Sequence, residues 1–157
     1  MVKFAIKSES EEYLKFANWL IVRCMTHEQK VRYAIFAARQ VLYICEVNCP
    51  GRIEPRKAIE ATERWLKNPS YHTACHQEAF ELFDMAREWP LFSTIRHAVV
   101  SAACAACVTT CISQDGLMEP ASSDYSEDAV IYAYCASGMQ HSLLVKIFEN
   151  GLEILNG

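Results

Sequence analysis

The chain has 157 residues, 52% hydrophobic and 22% charged, with only five glycines and five prolines. That composition excludes wholesale disorder, and it leaves too few turn residues for a many-stranded sandwich or barrel. A net charge of −4 excludes a protein built chiefly to hold nucleic-acid phosphates.

Ser8 and Glu11 have capping-box spacing and predict a first helix over about 9–25, with Tyr13, Phe16, Leu20 and Cys24 on its inward stripe. Thr26 and Gln29 form a second box, which opens a helix reaching about Glu46. Its apolar positions are Val31, Ala34, Ile35, Ala38, Val41, Leu42 and Cys45. Asn48-Cys49-Pro50-Gly51 breaks it, and Pro55 suits the first turn of a third helix ending at Lys67. Ala58, Ile59, Thr62 and Leu66 are its inward residues. Ser70 caps a fourth helix that runs to about Arg87 and stops before Trp89-Pro90. A fifth is predicted over 91–113 and a sixth over 126–155, with Gly138 and Gly151 as points where the sixth kinks or splits. The segment 114–125 is the longest loop.

Ser101, Ala102, Ala103, Ala105, Ala106, Thr109 and Thr110 give the fifth helix small side chains on every face. Such a helix is usually central, with neighbours packed close to its backbone. The expected fold is therefore all-α, a single domain over 1–157. Six or seven helices form a bundle around a central small-residue helix at about 91–113. The uncharged run from His97 to Gln114 is Ala, Cys, Ser, Thr and Val, which gain little from lipid, so a buried helix is expected rather than a membrane span. The first residues have too short an apolar core for a secretory signal, and the eight cysteines read as free thiols in a reducing cytoplasm.

Cys104, Cys107 and Cys111 resemble a cluster motif, yet on a helix the outer two are separated by about 10.5 Å of rise, too far to share one ion. His72 and His76 have a zinc-compatible i, i+4 spacing, but no third ligand is nominated. Cys135 and His141, six apart on the sixth helix, face away from each other. No Gly-x-Ser-x-Gly elbow and no phosphate-cradling glycine loop occurs. No catalytic residue, no metal site and no cofactor is predicted.

The charge is unevenly divided. Residues 1–96 hold fourteen bases against twelve acids, whereas 97–157 hold Lys146 alone against seven acids. Asp115, Glu119, Asp124, Glu127 and Asp128 fall within fourteen residues, an acidic belt that repels nucleic acid and suits a basic protein surface. Met118 and Tyr125, apolar residues of the same belt, are the expected anchors in partner pockets. These seven residues are the predicted partner-binding set.

From Arg52 to Leu66 a loop leads into a helix of alternating charge, with Arg56–Glu60 and Glu60–Arg64 as local i, i+4 pairs. Its Glu-Pro-Arg-Lys-Ala-Ile-Glu-Ala stretch, then Trp65, and later the Ala-rich fifth and the Ala- and Tyr-containing sixth helix, resemble the all-helical immunity proteins of bacterial toxin conflict systems. The resemblance spans roughly residues 38–140. It implies a small cytosolic protein that binds and neutralises a toxin, often a nuclease, without catalysis; an inhibitor of a defence nuclease is a close variant. It also implies a protein partner, with no direct nucleic acid and no membrane, and self-association is compatible with it. The alternatives are a metal- or cluster-binding helical protein using Cys and His, and an enzyme with a site between helices.

Overall fold

In the computed structural model, which describes residues 10–85, 94–101 and 125–157, the Thr26 box closes in both directions. The Gln29 amide donates to Thr26 Oγ1 at 3.3 Å, and the Thr26 amide donates to Gln29 Oε1 at 2.9 Å. The chain order is α1 (Glu11–Arg23), α2 (His27–Asn48), α3 (Glu54–Lys67), a 3-10 turn (Pro69–Tyr71), α4 (His72–Met85), α5 (94–101), α6 (Tyr125–Ala136) and α7 (His141–Asn156). The fold is all-helical as expected, with seven α-helices and no strand among the described residues. Ser8 lies outside the described residues, and Ser10 stands at the N-cap of α1.

The seven apolar positions predicted for α2 are all buried, and they serve two cores. Val31, Ala34, Ile35, Ala38 and Leu42 meet Ala58, Ile59, Ala61 and Trp65 of α3 and Cys75, Ala79 and Leu82 of α4. An adjoining face, with Tyr33, Ala37, Val41 and Cys45, meets Leu14, Ala17, Ile21 and Val22 of α1 and the inner faces of α6 and α7. Among the described residues, α2 thus lines both clusters, as do α5 and α6. Of the predicted hub at 91–113, residues 94–101 are described: Val99 enters the first cluster, and Ile95 and Ala98 the second. The rest of the predicted segment, including Cys104, Cys107 and Cys111, lies outside the described residues.

Charged rims tie α2 to α3. Arg39 Nε donates to Glu63 Oε1 at 2.7 Å, and Arg56 Nε donates to Glu46 Oε1 at 2.9 Å. The two pairs are seven residues apart on each helix and run in opposite senses, so they are rungs of one antiparallel edge. This corrects the local pairing expected on α3: Arg56 reaches across to α2, and Glu60 is exposed. Exposed pairs of this kind add little stability and chiefly fix register.

Two expectations need correction. The buried face of α1 is Leu14, Ala17, Asn18, Ile21 and Val22, while Tyr13, Phe16 and Cys24 are exposed. Both sets have helical spacing, but the polar Asn18 interrupts the true inner stripe and the larger aromatics advertise the false one. The predicted sixth helix splits at Gly138, one of the two points expected, into α6 and α7; what needs correction is the break expected at Gly151 and the placing of Cys135 and His141 on one helix. Gly138 at φ +74° and Met139 at φ +62° turn the chain after α6, so Cys135 and His141 stand on different helices. Gly151, by contrast, lies within α7 and is buried.

Candidate partner-binding surface

Of the seven residues predicted to bind a partner, Tyr125, Glu127 and Asp128 are described; Asp115, Met118, Glu119 and Asp124 lie outside the described residues. The three occupy the first turn of α6. Glu127 and Asp128 are half-exposed there, where carboxylates interact favourably with the positive end of the helix dipole. Ser126 between them and Tyr125 is fully buried, and Tyr125 is half-buried against the α2–α3–α4 cluster.

A buried polar bridge fixes this turn. Asn18 Nδ2 donates to the Glu127 carbonyl at 3.3 Å, and Asn18 Oδ1 accepts from the Tyr33 hydroxyl at 3.2 Å. One carboxamide therefore joins α1, α2 and the start of α6, and its burial is explained by these two partners. Sequence reasoning missed Asn18 and Tyr33; a lone Asn set among the apolar positions of α1 was the available signal.

Burial, then the nearby Glu127 charge, pushes the Tyr33 phenol well above its ordinary value of 10.0. The folded state thus holds this proton more tightly than the unfolded state. The resulting stability is present below about pH 10 and is lost as pH rises beyond it. Cys45, raised from 9.0 chiefly by burial, adds to the same trend from about pH 9. The free energy of unfolding, measured from pH 8 to 11, is expected to fall, with a shallower fall above pH 10 in Tyr33→Phe. An equal slope in both proteins would remove Tyr33 from the account.

The other candidates are dispersed. His76 is exposed, whereas the adjacent Cys75 is buried with its Sγ 3.5 Å from Thr62 Oγ1. Among the described residues no group of three or more His, Cys, Asp or Glu is placed to hold a metal ion. No described helix is long and apolar enough to cross a membrane. On α7, Glu149 and Glu153 are exposed beside Lys146.

The family model described as Imm-5 like putative immunity protein matches residues 21–142, most of the chain. The chain belongs to this immunity-protein family. The matched segment contains the α2–α3 edge and the first turn of α6, together with Trp65. Most of α1 precedes it. No curated protein and no solved structure matches the chain.

Proposed function

We propose that the protein is a non-catalytic inhibitor, of immunity or anti-defence type, that neutralises a toxin by binding it. The observation that carries this reading is membership of the immunity-protein family over residues 21–142. The finer part of the proposal is the mode of binding. Seven acids against one base in residues 97–157 suit a partner with a basic surface, and a nuclease has one. Glu127 and Asp128 are the described members of the belt, and Asp115, Glu119 and Asp124 complete it, with Met118 and Tyr125 as anchors. In this reading residues 1–157 act in the cytoplasm as one domain, without cofactor or metal.

The test is a fivefold variant with Asp115, Asp124 and Asp128 changed to Asn and Glu119 and Glu127 to Gln. Three of the five changes are expected to cost no more than about 0.5 kcal/mol each; Glu127 and Asp128, both in the first turn of α6, each carry a helix-dipole contribution of about 0.3–1 kcal/mol besides. Association with the toxin should slow at low salt and lose its dependence on ionic strength, because such charges act through steering. Unchanged association at low salt would move the interface to the basic half, around Arg52, Arg56 and Arg64.

A further inference from the structure

The outer face of α1 carries an exposed stripe of another kind. Glu12, Phe16, Trp19 and Arg23 stand at i, i+4, i+7 and i+11, so they share one face, opposite the buried Leu14, Ala17 and Ile21. All four are exposed, and Phe16 and Trp19 remain 42% and 41% accessible. Their rings stack at a centroid distance of 5.8 Å, and the Arg23 guanidinium lies 5.5 Å from the centre of the Trp19 ring. The inner face of the helix is buried against α2, α6 and α7, and Phe16 and Trp19 belong to neither core cluster.

The order of this stripe is acid, aromatic, aromatic, base, centred between Ala17 and Asn18. Turning a second α1 end for end about that centre brings Phe16 against Trp19 and Glu12 against Arg23. A twofold contact requires this self-complementarity, because every interaction in it occurs twice. Like charges at both ends would have forbidden it. We propose that α1 is a homodimer contact, with two copies of this chain paired antiparallel. Phe16 then packs on the partner subunit's Trp19, and Glu12 meets the partner subunit's Arg23. Offset aromatic packing supplies the central anchors, and the two ion pairs, about 16 Å apart along the helix, fix register and direction. Glu12, Phe16 and Trp19 precede the family-matched residues, so this contact is independent of the toxin-binding proposal.

A single helix-on-helix contact is small, so the dimer is concentration-dependent. Sedimentation velocity of the full chain from about 10 to about 500 µM covers the range for a contact of this size. The wild type is expected to shift from monomer towards dimer. Phe16→Ala/Trp19→Ala should remain monomeric with an unchanged helical circular dichroism spectrum. Glu12→Arg and Arg23→Glu should each be monomeric alone, and their equimolar mixture should recover the dimer, since each supplies the charge the other lacks. A wild type that stays monomeric throughout overturns the proposal. So does a dimer that survives the double alanine change, or a charge-reversed mixture that fails to associate.

Discussion

Trp65→Ala is expected to lower the free energy of unfolding by about 3–5 kcal/mol, the usual range for deleting a buried aromatic. Trp65 is 6% exposed and closes the α2–α3–α4 cluster, with its ring edge-on to His27 at a centroid distance of 5.3 Å. The same cluster includes Ala34, Ala38, Ala58 and Ala61, whose short side chains cannot extend into a space left behind. The site should therefore collapse poorly, placing the loss in the upper part of the range. Urea unfolding followed by circular dichroism should show a lower midpoint with little change in slope. Tyr43→Ala, at a position 59% exposed on α2, should stay within about 0.5 kcal/mol. A Trp65 variant as stable as that control would contradict the packing described for α3.

Gly151→Val is expected to cost about 3 kcal/mol, at the upper end for overpacking a core. A Cβ at this position would lie 2.8 Å from Tyr33 Cε2 and 2.9 Å from Ile21 Cγ2. Neither neighbour can give way freely: both are buried, and Tyr33 is also tethered to Asn18. Gly151→Ala is the informative companion. At an exposed helical site this change would stabilise by about 1 kcal/mol through helix propensity. Here the clash should outweigh that gain and leave the variant less stable than the parent. A stabilised alanine variant would mean that α7 does not approach α1 and α2 as closely as described.

Helix positions were legible wherever local chemistry decided them. The Thr26 box, Pro55 in the first turn of α3 and the apolar spacing of α2 depend on neighbours within a turn or two, and all three are found as expected. The phase of α1 was not legible, because which of two stripes faces inward depends on how closely α7 can approach. That approach is set by a glycine some 130 residues away, and it favours Ala17 and Ile21 over Tyr13 and Phe16. Gly138 and Gly151 illustrate the same limit. Both interrupt the helical pattern in sequence, yet one turns the chain at positive φ and the other lets two helices touch. Of the candidate binding surface, the acidic composition was legible. The Asn18 bridge that holds the start of α6 was not, since it joins residues 109 positions apart.

The most direct test of the central claim is a titration of toxic activity. The protein retained from the native host on immobilised chain would be purified, and its activity followed as the full chain is added at low salt. The account predicts complete loss of activity at one equivalent, with the fivefold acid-to-amide variant inhibiting more slowly. Activity that persists in the saturated complex would contradict neutralisation by binding.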